Sequence, residues 1–335
     1  MRALIGIGLI VGLATTTPAS ADALDHVRTA GHLACGVVTE PEDWNKLDLH
    51  GPLAPLDTAI CDAVAVSALG PTARVEIRSY AAEQDAEAAL QKGDVDLIVG
   101  VTPGVTPLMH YGIWFGPPVF YDAQGFLVRR DAGINTLHDL AGKGVCYEEG
   151  TDTERTLQAR TLAVGIALIP MPFQEQGEMN DGLLGGHCEA ISADISKLAA
   201  TRASFQHPDN FIILSDTLTL QPVAPAYRYG DQRWSAIVDW TVHALVLAEA
   251  LGLTRATIAD AVGDDPVLQR LTGADFATAS ALGLPRDWTK QLIKTVGNYG
   301  QIYDETIGEN GTLHLPRGLN ALWTQGGLMH PMPLQ

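Results

Sequence analysis

Residues 32–38 read HLACGVV, residues 57–68 DTAICDAVAVSA, residues 75–78 VEIR, residues 81–92 AAEQDAEAALQK, and residues 95–99 VDLIV. This succession decides the fold. The first, third and last runs are short and apolar or alternating, as strands are. The second sets Ile60, Ala63, Val64 and Ser67 at helical spacing and stops at Gly70-Pro71. The fourth ends at Gly93, where a helix can close on a left-handed glycine. Strand, helix, strand, helix, strand predicts an α/β lobe on a mostly parallel sheet.

A second unit repeats the grammar. Residues 135–140 carry a helix start, and 144–147 read as a strand. Gly150-Thr151-Asp152-Thr153-Glu154 is a polar turn opening a helix towards Leu162. Residues 166–170 read as a strand, a helix precedes Gly185-Gly186, Cys188 to Ile191 begins the strand before Asp194, and 212–214 add another. Extended segments at 118–128 and 218–228, the latter with Pro222 and Pro225, separate the units. The chain therefore leaves the first lobe and returns to it across a two-strand hinge. The predicted division is 22–122 for the first part of lobe one, 123–222 for lobe two, and 223–335 for the return with a helical extension. Within that extension 234–251, 258–271 and 287–307 have the strongest helical pattern. A single domain is the alternative, but the length favours two. Open α/β sheets take ligands at the carboxyl ends of their strands, so a cleft between the lobes is the expected site.

Residues 1–21 differ from the rest. Arg2 is a small positive start, residues 3–14 are an apolar run, Pro18 breaks it, and Ala19-Ser20-Ala21 is a cleavage signature. The segment reads as a secretory leader, too short for a membrane span, and its Gly6, Gly8 and Gly12 are no nucleotide loop. A membrane anchor is the alternative. No later apolar run approaches the ~20 residues of a span. Losing the leader removes Arg2 and no acid, so the formal charge goes from −18 to −19. That argues against nucleic acid, whose phosphates would repel it. Export permits disulfides, and Cys35, Cys61, Cys146 and Cys188 allow three pairings. Local pairing, Cys35–Cys61 and Cys146–Cys188, would staple two separate lobes. Free thiols are the alternative; a zinc site lacks any C-x-x-C or His-paired spacing.

The most specific motifs lie near the C-terminus. They are Val296-Gly297-Asn298-Tyr299-Gly300-Gln301-Ile302-Tyr303, Arg317-Gly318-Leu319-Asn320-Ala321-Leu322-Trp323, and Gly326-Gly327-Leu328. Upstream stand residues 120–126, FYDAQGF, and 234–240, WSAIVDW. With these motifs the chain resembles, over essentially its whole mature length, the general L-amino-acid-binding proteins of bacterial ABC transporters (solute-binding protein family 3), of type II periplasmic binding-protein fold. The resemblance implies a periplasmic monomer without cofactor, a partner permease and ATPase, and lobe closure on a free amino acid. It also implies two disulfides at the four cysteines. By resemblance, Thr102 matches a lobe-one threonine of the site, Thr151 after Gly150 a lobe-two turn, and Asp194 the aspartate that takes the α-ammonium. The lobe-one arginine that grips the α-carboxylate has no match. Pro107 stands at its position, and residues 79–128 contain no arginine.

Removing one partner of such a charge pair costs about 3–5 kcal/mol, roughly two to nearly four decades of affinity. Glu148, Glu149 and Asp152 surround Gly150 and Thr151 with negative charge, so the ligand set expected here is Thr102, Thr151, Asp152, Asp194 and Glu149. For Asp152 a helix-cap role competes, and at most one of Glu148 and Glu149 should face the cleft. An acidic cleft points to a small polar solute of cationic character. Trp44 and Trp114 could stack on a cation, although core or surface packing is the commoner use. A calcium-like ion is a weaker candidate, because no EF-hand spacing occurs. The ten histidines show no metal-binding spacing.

Three functions compete. A transport component would be stabilised by a solute. An accessory or sensor protein that lost amino-acid binding would respond to none and hold a protein partner. An enzyme rests on fold analogy with cyclohexadienyl dehydratase-like proteins, and no nucleophile elbow, metal motif or close acid–base pair supports it.

Overall fold

The computed structural model describes residues 22–39, 51–274 and 277–334. The expected leader and Trp44 lie outside the described residues. The chain opens with α1 (Ala23–Ala30), β1 (Leu33–Val38), α2 (Ala54–Leu69), β2 (Val75–Tyr80), α3 (Glu83–Lys92) and β3 (Leu97–Val101). Next come α4 (Val105–Tyr111), β4 (Ile113–Phe115), β5 (Phe120–Asp122) and β6 (Gln124–Arg129). The second unit continues with β7 (Gly144–Glu148), α5 (Asp152–Ala163), β8 (Ile169–Phe173), α6 (Gln176–Leu184), β9 (Ala190–Asp194), α7 (Ile195–Ser204) and β10 (Phe211–Ile213). The chain returns through β11 (Gln221–Arg228) into α8 (Gln232–Ala250), α9 (Pro266–Leu271), α10 (Ala277–Leu282), α11 (Trp288–Val296) and α12 (Tyr299–Thr306).

Two sheets result, and the α/β two-lobed expectation holds. The first orders its strands β2-β1-β3-β11-β4, with β5 also on β11; the second runs β10-β6-β9-β7-β8. Each has a parallel heart, β2-β1-β3 and β9-β7-β8, as the alternation of strands and helices requires. Antiparallel strands extend each heart, so both sheets are mixed: β11 runs against β3, β4 and β5, and β6 against β9 and β10. Only Ala123 separates β5 in the first sheet from β6 in the second. The return strand β11 pairs with β5, so the two crossings lie side by side.

Both disulfides pair locally. Cys35 of β1 joins Cys61 of α2, and Cys146 of β7 joins Cys188 just before β9. Their closed spans of 26 and 42 residues should each contribute about 3.5–4 kcal/mol by restricting the unfolded chain.

The C-terminal motifs serve the crossing. The Tyr299 hydroxyl donates to the Val119 carbonyl at 2.7 Å, just ahead of β5. Asn320 accepts from the Tyr121 amide at 2.7 Å and donates to the Tyr121 carbonyl at 3.1 Å. The Arg317 guanidinium lies over the rings of Tyr299 and Tyr303, 5.1 and 4.9 Å from their centroids, and pairs with Glu249 of α8 at 2.9 Å. Side chains from about 200 residues downstream thus hold the first crossing strand from behind.

Several sequence boundaries shift. The strand expected over 166–170 starts at Ile169, because Gly165 takes φ +72° and closes the preceding helix. The helix expected over 258–271 is one 3-10 turn at Ile258–Asp260 and then α9, since Gly263 and Pro266 interrupt the apolar pattern. The pattern over 287–307 divides into α11 and α12 at Gly297, with φ +89°, and Asn298 caps the second helix. No helix of the described residues is long and apolar enough to cross a membrane.

Candidate functional site

The carboxyl ends of β1, β3 and β9 converge with the crossing strands on a cavity of about 370 Å³. The first lobe supplies Asp57, Glu83, Gly100 and Thr102; the second supplies Asp194, Ser196 and Lys197; Asp122 and Gln221 come from the crossings. Four carboxylates and one ammonium are therefore the charged groups among the described residues lining the cleft. No arginine among the described residues lines it.

Asp57 sits in the first turn of α2, where the helix dipole welcomes a negative group. The side chain is nevertheless buried, at 2% exposure, and its Oδ1 accepts no hydrogen bond. Burial alone pushes this carboxyl up to about 8, since a charge without partners is costly away from water. The space it occupies exists because residue 100 is glycine. Gly100 has φ +87°, and a Cβ there would stand 2.4 Å from Asp57 Oδ2.

Asp122 is equally buried but fully engaged. It accepts from the Ala123 amide at 2.8 Å, from the Ser196 amide at 3.3 Å, and from the Ser196 hydroxyl at 2.5 Å. Desolvation raises it to about 6, against the pull of the Ser196 hydrogen bond. These contacts tie the first crossing to the start of α7. Asp194 ends β9, opposite Gln124 of β6, and immediately precedes α7. On the facing lobe the Thr102 amide donates to Glu83 at 3.3 Å, joining the end of β3 to the first turn of α3.

Of the five ligand-binding residues expected from sequence, the structure brings Thr102 and Asp194 together in the cavity lining. Thr151, Asp152 and Glu149 stand outside it. The Thr151 hydroxyl donates to the Glu148 carbonyl at 2.7 Å and accepts from the Glu154 amide at 3.3 Å, so it caps α5. Glu154 also accepts from the Gly150 amide at 2.8 Å. Asp152 is exposed and pairs with Arg155 one turn on. The exposed Glu149 donates its amide to the Phe173 carbonyl at 2.8 Å. Pro107 lies in α4, also outside the lining, and Trp114 is half-exposed on β4 against Tyr229 rather than in the cleft.

Sequence reading missed Asp57, Glu83, Asp122 and Lys197. Asp57 had a usable signal, the one acid in the first turn of a mostly apolar helix. Lys197 follows the sheet-end Asp194 by three residues, within one helical turn. Among the described residues no group of three or more His, Cys, Asp or Glu side chains is disposed to hold a metal ion.

Paired crossings between two α/β sheets, with a polar cleft at the strand ends, define a type II periplasmic binding protein. No protein-family model matches the chain. It is 33% identical to the general L-amino acid-binding periplasmic protein AapJ of Rhizobium johnstonii, over 98% of this chain and 97% of that one. It is 32% identical to the glutamate/glutamine/aspartate/asparagine-binding protein BztA of Rhodobacter capsulatus, over 95% and 94% of the two chains. A solved ABC transporter periplasmic binding protein from Brucella ovis, with glutathione bound, superposes with a TM-score of 0.76 at 32% identity, covering 94% of this chain and all of that one. The chain belongs to the amino-acid-binding periplasmic proteins of ABC transporters.

Proposed function

We propose that this protein is the periplasmic solute receptor of an amino-acid-type ABC importer, exported by a cleaved leader at residues 1–21 and acting as a monomer by binding, without catalysis. Its lobes are residues 22–122 with 223–335, and residues 123–222. They close on a solute about the paired crossings and present it to a membrane permease coupled to an ATPase. The observation that carries this reading is the cavity itself, which draws Thr102 from one lobe and Asp194 from the other to the carboxyl ends of their strands. Asp194 takes the solute's ammonium group and Thr102 orients it. We assign Thr151, with Glu154, to the cap of α5, and Asp152 to its surface pair with Arg155.

The relatives are named for amino acids, and the Brucella ovis protein holds glutathione. This cleft offers four carboxylates and no guanidinium among its described residues, with Lys197 as its cation. Asp57 holds its proton to about 8, but the other three carboxylates outnumber the Lys197 ammonium, so solutes with a net negative charge meet repulsion there and the favoured ligand is polar with an accessible cationic nitrogen. Thermal-shift and calorimetric titration with glutamate, glutamine, lysine, ornithine, diamines and glutathione tests both claims. The expected result is stabilisation by nitrogen-rich solutes, with glutamate far weaker than micromolar. Tight glutamate binding would overturn the preference. No response to any solute would overturn the receptor reading.

A further inference from the structure

Helix α7 starts at the cleft, and its first amides are taken by residues of the crossing. The Ile195 amide donates to the Ala123 carbonyl at 2.8 Å. The Ser196 amide donates to Asp122 Oδ1 at 3.3 Å, and the Ser196 hydroxyl donates to Oδ2 at 2.5 Å. The leading amides of a helix are commonly met by the side chain of its own N-cap, and aspartate is among the best residues for that task. The N-cap of α7 is Asp194, with the extended backbone that suits a cap (φ −62°, ψ 142°), yet its side chain makes no capping hydrogen bond. Asp22 and Asp265, which hold the same extended backbone at the starts of α1 and α9, do cap their own helices. At α7 the duty has passed to Asp122, a buried residue at the end of β5. Burial first, and the charge of Asp194 after it, push the Asp122 carboxyl up to about 6 against the Ser196 hydrogen bond. Two carboxylates thus approach one helix start, and only Asp122 caps it.

We propose that Asp122 is a positioning residue of the binding site: by capping α7 from the crossing it spares the Asp194 carboxylate for the ammonium group of the solute. This rests on the receptor reading above. If Asp194 capped its own helix, each binding event would first have to draw it off the Ser196 amide. With Asp122 in that place, binding breaks no cap. The arrangement also fixes the site to the crossing, since Asp122, Ala123 and Gln124 meet Ser196, Ile195 and Asp194 in turn.

The experiment uses wild type, Asp122→Asn, Asp122→Ala, Asp194→Ala and the double variant Asp122→Ala/Asp194→Ala. Without solute, amide hydrogen exchange followed by NMR reads the Ser196 N–H. It should be protected in wild type and in every single variant. Asparagine keeps an acceptor oxygen, and the Ser196 hydroxyl can turn to accept from its amide group; with alanine at 122, Asp194 takes over the cap. Exchange should become at least tenfold faster only in the double variant. Fast exchange in Asp194→Ala alone would mean that Asp194 already caps, and fast exchange in Asp122→Ala alone that it does not take over; either overturns the proposal.

Calorimetric titration with L-lysine reads the consequence for binding. Asp122→Asn should stay within threefold of wild type, whereas Asp122→Ala should bind about tenfold more weakly, the cost of drawing Asp194 off a cap. In the Asp194→Ala background the same Asp122→Ala change should cost less than twofold, because its effect runs through Asp194. Equal weakening in both backgrounds, equal weakening by asparagine and alanine, or no weakening by alanine overturns the positioning role and leaves the receptor reading intact. Wild type that does not bind L-lysine overturns the cation preference instead, and exchange at Ser196 still decides which aspartate caps α7.

Discussion

Two helix starts, one in each lobe, treat their polar groups in opposite ways. At the second-lobe turn before α5 the polar groups serve the helix: Thr151 caps it, Glu154 reaches the Gly150 amide, and Asp152 holds Arg155 at the surface. In the first lobe, the first turn of α2 buries an aspartate with one oxygen that accepts no hydrogen bond. A satisfied helix start contributes stability and has little left for a solute. An unsatisfied buried carboxylate is destabilising. Thr151 thus serves the start of α5, whereas Asp57 lines the cavity without an internal partner for Oδ1.

The largest effects should come from the disulfides, which differ between the lobes in what they hold. Replacing Cys146 and Cys188 by serine should cost about 4 kcal/mol in denaturant unfolding, and replacing Cys35 and Cys61 about 3.5 kcal/mol. Only the second pair of changes should also weaken solute binding, because that bond pins the helix carrying Asp57. Equal losses of affinity in the two double variants would show that the lobes do not divide the work this way.

The next effect is a pH dependence of the ligand-free protein. Asp57 holds its proton to about 8 when folded, while the unfolded chain releases it near 4. Between those values the unfolded state binds fewer protons, so stability falls as pH rises, by up to about 1.4 kcal/mol per unit, and levels off above 8. Asp122 and Asp239, raised by burial to about 6, act in the same direction but finish lower. His243, lowered by burial to about 4, acts oppositely over pH 4 to 6.5. The interval from 6.5 to 8 therefore isolates Asp57. Urea unfolding of wild type and Asp57→Asn should converge below about pH 4, with the variant increasingly ahead up to pH 8. Parallel curves would mean that Asp57 is ionised in the fold.

The fold was readable because local pattern and topology agree: strands of β-branched residues alternate with helices closed by glycines such as Gly93. The antiparallel crossings were visible as extended, proline-bearing segments, although their pairing with each other was not. Continuous apolar spacing misled over 258–271, where Gly263 and Pro266 outweigh it, and over 287–307, where Gly297 does. The cavity lining was partly readable: Thr102 and Asp194 came from motif and strand-end position. Asp57 was absorbed into a helical stripe, since a sequence shows that a residue faces inwards without showing whether it finds a partner there. Orphaned oxygens are a property of three-dimensional packing.

The cap of α5 gives a smaller effect and the finest test of the division of labour. Thr151→Ala removes an N-cap acceptor and should cost about 1 kcal/mol, seen as a drop of about 1–2 °C in melting temperature. Asp152→Asn, at an exposed i,i+3 pair, should cost under about 0.5 kcal/mol and lose even that in high salt. Neither should change the dissociation constant of a bound solute by more than about twofold once stability is accounted for, because neither side chain lines the cavity. A tenfold loss of affinity in Thr151→Ala would return the α5 turn to the binding surface on lobe closure.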